Sequence, residues 1–155
     1  MSRFLDLVAK SCGYLAAFFA LGMVAITVTD VVLRALLNRP IPGALELVEL
    51  MLAWSIFTAL PAVFLRDQNV VVDIIDHVFP RAVPVLRRVG AIASFVVLAA
   101  MGWYMIPRAV DILEFGDVTS DLSIPRILYW VAALVGVFVA AAAALVMIFR
   151  KGRGV

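Results

Sequence analysis

Cysteine is nearly missing from this chain of 155 residues. Cys12 stands alone, so no internal disulfide and no CxxC redox or zinc pair can form, which excludes the quinone-linked disulfide oxidoreductases. Cys12 reads as a small apolar residue near a helix end. Histidine is equally scarce: His77 has no second His or Cys with which to share a metal, and it reads as part of a polar helix face. Charge is thin too, at 15% of residues with a formal net of +2. That is too little for a nucleic-acid binder, and the Lys and Arg residues sit at the ends of apolar runs without forming a basic stripe.

What the chain has in excess is apolar surface, with 65% of residues in the hydrophobic set and a mean hydropathy of +1.10. An average soluble domain has about 45–50% apolar residues. A soluble fold of about 150 residues buries only about 70% of the surface its unfolded chain exposes, so the solvent for the remainder must be lipid.

Four uncharged runs supply the spans: Ser11 to Thr29, Leu50 to Leu65, Val89 to Pro107 and Ile127 to Phe149. A helix rising 1.5 Å per residue needs about 20 residues to cross about 30 Å of hydrocarbon, so the first, third and fourth suffice as they stand. The 16 residues of the second reach only about 24 Å, which pulls its start back through Leu45, Glu46 and Glu49. The fourth has twelve Leu, Ile, Val or Phe residues and no charge. These alone favour insertion by several kcal/mol at roughly −0.3 to −0.6 kcal/mol each. Within it, Ala132, Gly136, Ala140 and Ala144 recur every fourth residue as a small-residue face for close helix contact. The reading is an all-α integral membrane protein, a single membrane domain over 1–155, with spans at about 11–36, 45–65, 87–109 and 125–149.

Arg3 and Lys10 before an apolar stretch imitate a secretory signal, but Ser11 to Thr29 is longer than an h-region of about 7–15 residues, so the segment is expected to be retained. Orientation follows from Lys and Arg in the short connections. With the N-terminus inside, the cytoplasmic side has nine: Arg3, Lys10, Arg66, Arg81, Arg87, Arg88, Arg150, Lys151 and Arg153. The other side has four: Arg34, Arg39, Arg108 and Arg126. Both termini are therefore expected in the cytoplasm. Between the second and third spans, a short interfacial amphipathic helix is expected at about 69–79, capped by Asn69 and stopped by Pro80. Asp73, Asp76 and His77 share one of its faces, and its net acidity argues against anchoring by anionic lipid, so that contact with a partner protein is an equal alternative to the interface.

An enzyme needs convergent polar groups, and a transporter with its own midplane site needs broken helices or buried charge there. The span middles offer neither, apart from Pro61 towards the end of the second. Asp30 and Arg34 have i,i+4 ion-pair spacing near the outer boundary, either as a local pair or as a contact to another subunit. Glu46 and Glu49, at i and i+3, face one way; they are either carboxylates favoured by the helix N-terminus or an outer docking surface. Asp111, Glu114, Asp117 and Asp121 make the third-to-fourth connection acidic, as a solvated loop or as a surface for a basic partner. Trp103, Tyr104, Tyr129 and Trp130 fit interface belts, whereas Trp54 lies too deep and should pack on a neighbouring helix.

One stretch resembles the end of the first helix and the start of the second in the small permease subunit of tripartite ATP-independent periplasmic (TRAP) transporters. It begins with Asp30, Val31 and Arg34, turns at Asn38, Arg39, Pro40 and Gly43, and continues with Glu46 and Glu49. Asn69 to Asp73 with Pro80, and Thr119 to Pro125, are similar to later segments of that family, so the likeness spans nearly the whole chain. Two positions depart from it: Asn69 where many members have histidine, and Arg126 where an aromatic often follows the late Ile-Pro. Neither is catalytic in the family.

The resemblance implies a non-catalytic subunit of the bacterial cytoplasmic (inner) membrane. It would assemble with a large TRAP membrane subunit and a periplasmic substrate-binding protein in a sodium-coupled importer of organic acids. It also implies that sodium and substrate bind the large subunit, and that no cofactor, metal or nucleic acid binds here. Asp30, Arg34, Asn38, Arg39, Pro40, Glu46, Glu49, Asn69, Asp73 and Asp76 are the expected structural or partner-contact positions. Two other readings stay open: a self-sufficient homo-oligomeric transporter or channel, which would need polar groups lining a shared path, and a membrane enzyme, for which no acid, base and nucleophile set converges.

Overall fold

The computed structural model describes residues 2–65 and 83–149, and these form four helices. They are α1 (Ser2–Leu37), α2 (Ala44–Leu65), α3 (Val83–Phe115) and α4 (Ile127–Phe149). Each contains a stretch long and apolar enough to cross a membrane. The fold class is all-α, and the described residues hold no strand beyond one antiparallel bridge between Val118 and Pro125. The expected interfacial helix at 69–79, with Asn69, Asp73, Asp76 and His77, lies outside the described residues.

The helices enclose the apolar runs but differ in length from them. Helix α1 has 36 residues and α3 has 33, against 22 and 23 for α2 and α4. At 1.5 Å per residue the outer pair reach about 50 Å or more and the inner pair about 33–35 Å. The stretch from Arg108 to Phe115, which reads as loop in the sequence, is therefore the last part of α3. Apolar residues at 109, 110, 112, 113 and 115 keep the helical spacing going among the acids, and Gly116 ends it in a left-handed conformation with φ 64°.

Among the described residues, α1 packs on α2, α2 on α4 and α4 on α3. The helices thus stand in the order α1, α2, α4, α3, with α1 and α3 at the two edges. Helix α4 is the most enclosed: 44% of its most apolar window is buried, against 11% in each of the others. Its small-residue face provides the contact, since Ala132, Ala140 and Ala144 are buried together with Val137. In lipid, helices gain nothing from escaping water by pairing, so association depends on close packing, and small side chains permit it.

The closest approach is at Gly136. A Cβ there would fall on the carbonyl oxygen and side chain of Phe57 in α2. Phe57 lies four residues before Pro61, which has no N–H to close the helical bond to that carbonyl. The Gly136 CH₂ group faces the oxygen instead, as a weak C–H···O donor in place of the missing amide. Helices α1 and α2 are joined by tilted stacking of Phe19 on Trp54 at 5.5 Å, and by the Ser55 hydroxyl donating to the Ala16 carbonyl at 3.0 Å. Trp54 packs against a neighbouring helix as its depth requires.

Candidate functional site

Among the described residues, the buried carboxylates lie at the end of the molecule where α1 turns into α2 and α3 turns into α4. In the first connection, Asp30 is buried and its carboxylate has two partners. The Ile41 amide donates to one oxygen at 2.7 Å, and Arg34 donates to the other at 2.8 Å. The i,i+4 pair forms as its spacing requires, and the aspartate also pulls the returning chain against the helix that it has just left. Two left-handed residues allow that reversal: Asn38 at φ 51° and Gly43 at φ 68°. Asparagine tolerates this region because its short side chain bonds locally, and glycine has no Cβ to obstruct it. Gly43 is constrained twice, since a Cβ would also collide with the Leu122 side chain. Arg34, Asn38, Arg39 and Pro40 are exposed.

The second connection, residues 116–126, is built around Glu46. One carboxylate oxygen accepts from the Thr119 hydroxyl at 2.6 Å and from the Leu122 amide at 2.9 Å; the other accepts from the Asp121 amide at 2.8 Å. Thr119 also accepts the Ile124 amide at 2.9 Å on its side-chain oxygen and donates its own amide to the Ile124 carbonyl at 2.9 Å. The Arg126 amide bonds the Asp117 carbonyl at 2.9 Å, and the Tyr129 hydroxyl donates to the Glu46 backbone carbonyl at 2.8 Å. The outcome is a compact turn fastened by a side chain more than 70 residues earlier in the sequence.

This separates two glutamates that their i,i+3 spacing groups together. The turn covers Glu46, which is buried, and leaves Glu49 exposed. Sequence reasoning missed Thr119 and Tyr129 as partners of Glu46. The available signal was a Thr-Ser-Asp run ahead of an Ile-Pro, which marks a turn rich in free amides but names no acceptor. Asp111, Glu114, Asp117 and Asp121 are all exposed. No group of three or more His, Cys, Asp or Glu with metal-binding geometry occurs among the described residues.

Four long apolar helices, free of charge through their middles and with buried carboxylates only at one end among the described residues, define a small multi-pass membrane protein. The chain belongs to the family described as tripartite ATP-independent periplasmic transporters, DctQ component, which matches residues 23–154. It is thus the small membrane subunit of a TRAP transporter, a multi-pass protein of the bacterial inner membrane. Neither a curated protein nor a solved structure matches it significantly.

Proposed function

We propose that this chain is the non-catalytic subunit of a sodium-coupled importer of organic acids, working with a large membrane subunit and a periplasmic binding protein. Both termini lie in the cytoplasm, so the connections at 38–43 and 116–126 face the periplasm. Sodium and substrate bind the large subunit, and this chain buttresses it. The reading rests on family membership, and one observation carries the non-catalytic role. Asp30 and Glu46, the buried carboxylates of the described residues, have both oxygens hydrogen-bonded to groups that hold a connection in place, which supports a structural use of their charge. Arg34, Asn38, Arg39, Pro40 and Glu49 remain as exposed contact positions on the periplasmic side, and Asn69, Asp73 and Asp76 as contact positions on the cytoplasmic side.

Reconstitution tests this. Liposomes holding the chain alone should accumulate no carboxylate under an inward sodium gradient, whereas liposomes with the large subunit, supplied with binding protein, should. Uptake by the chain alone would overturn the assignment.

A further inference from the structure

A groove of about 440 Å³ opens between α3 and the start of α4, lined by Val97, Ala100, Met101, Tyr104, Met105 and Trp130. Its α3 residues recur at helical spacing and so form one face of that helix. From Val97 to Tyr104 the face runs about 10 Å along the axis. The polar atoms on the lining side chains are the Tyr104 hydroxyl and the Trp130 indole N–H, both at the end of the groove nearest the 116–126 connection. Neither has a hydrogen-bond partner among the described residues.

Beyond Tyr104 the same face changes character in steps. Arg108 follows one helical turn later and continues the face where the uncharged run of α3 ends at Pro107. Asp111 follows on that face, about 4.5 Å further along the axis. From the other wall, Arg126 precedes Trp130 by one turn's worth of chain and adds a second guanidinium at the level where α4 begins. All three charged residues are exposed. The ion pair formed among the described residues is that of Asp30 with Arg34, which leaves Arg108, Asp111 and Arg126 without ionic partners there.

Read outwards, the groove therefore provides hydrocarbon, then two hydrogen-bond donors, then cations, then an anion. A phospholipid offers the complementary series: an alkyl chain, ester carbonyls that accept, a phosphate and, in an ethanolamine lipid, a primary ammonium. Aromatic side chains settle at the headgroup level, guanidinium groups grip phosphate with paired N–H bonds, and basic pockets between transmembrane helices hold lipid headgroups. The headgroup is selected by Asp111. A glycerol headgroup brings no cation to it, and the quaternary ammonium of choline has no N–H to donate.

We propose that the α3–α4 groove binds one phosphatidylethanolamine molecule from the leaflet nearest the 116–126 connection. An acyl chain lies along Val97 and Met101, and the ester carbonyls accept from Tyr104 and Trp130. The phosphate accepts from Arg108 and Arg126, and the ammonium donates to Asp111. Such a lipid would fasten edge helix α3 to α4, the helix it packs on most extensively among the described residues. The site needs nothing from the transport role and stands apart from it.

Native mass spectrometry of the full chain tests it, with the protein stripped of lipid in detergent and titrated with phosphatidylethanolamine, phosphatidylglycerol or phosphatidylcholine of identical acyl chains. The ethanolamine lipid should bind about tenfold or more tightly than the other two, and Arg108→Gln should weaken it by about tenfold. Asp111→Asn should bring it close to phosphatidylglycerol, whereas Arg39→Gln, at the other connection, should change nothing. Equal affinities of the unaltered chain for the three lipids would overturn the site, as would a folded Arg108→Gln chain that keeps its affinity. A second measurement needs no variant: phosphatidylethanolamine with a photoreactive acyl chain, in membranes holding the complete transporter, should label the peptides that contain Met101 or Trp130. Labels confined to other segments would overturn the proposal. So would capture of the large subunit by a photoreactive side chain at Met101, which would make the groove a seat for a protein helix.

Discussion

The backbone of Gly136 closes on the carbonyl of Phe57, so that the tightest helix contact lies where Pro61 has opened the helical hydrogen-bond ladder of α2. A side chain at 136 must push α4 and α2 apart or distort one of them. Gly136→Ala is therefore expected to destabilise the detergent-solubilised protein by about 1–3 kcal/mol, in the range of overpacked cores. Gly90→Ala provides the control, because a Cβ there meets nothing within 4 Å and the helix gains up to about 1 kcal/mol in propensity. Equal thermal midpoints for the two variants would show that the contact is unimportant.

The two intrahelical prolines should respond oppositely to replacement. Pro107→Ala gives the Trp103 carbonyl an internal donor and should raise the unfolding midpoint of the isolated chain, towards the limit of about 3 kcal/mol that proline costs in a helix interior. Pro61→Ala also restores an amide, but it makes that amide compete with Gly136 for the Phe57 oxygen, so the midpoint should stay level or fall. Circular dichroism melts in one detergent would decide, and a rise for both would contradict the distinction.

Glu46 should control the rigidity of the 116–126 turn. In Glu46→Ala the Asp121 and Leu122 amides lose their acceptor, and hydrogen exchange at both should quicken by at least tenfold. Glu46→Gln keeps one acceptor oxygen but introduces an NH₂ group among donors, so its effect should be intermediate. Unchanged protection in the alanine variant would show that the turn holds itself.

At the other connection, Gly43→Ala faces both a left-handed backbone and the Leu122 side chain. The conformation alone costs about 1–2 kcal/mol for a residue with a Cβ. Asn38→Gly, at a φ that glycine adopts freely, should be close to neutral. Thermal midpoints that fall equally in the two variants would argue against this account.

Most of the architecture could be read from local pattern. The apolar runs located all four helices, the four-residue spacing of Ala132, Gly136, Ala140 and Ala144 predicted the buried face of α4, and the Asp30–Arg34 spacing predicted their ion pair. These features repeat within one or two turns, so the sequence displays them directly. What it did not display was long-range. The Glu46 carboxylate meets Thr119 across 73 residues, and no periodicity links the two. The extra turns of α3 were hidden because Asp111, Glu114 and Arg108 give a solvated helix the same composition as a loop. The covered carbonyl of Phe57 was hidden too, since a proline in one helix and a glycine in another carry no mark that they belong together.

The Glu46 clasp also sets an order of construction. A chain made from its N-terminus delivers the carboxylate 73 residues ahead of the threonine that it will hold. The first hairpin is therefore present as a mould when the last one, with its own internal bonds, arrives to be set against it.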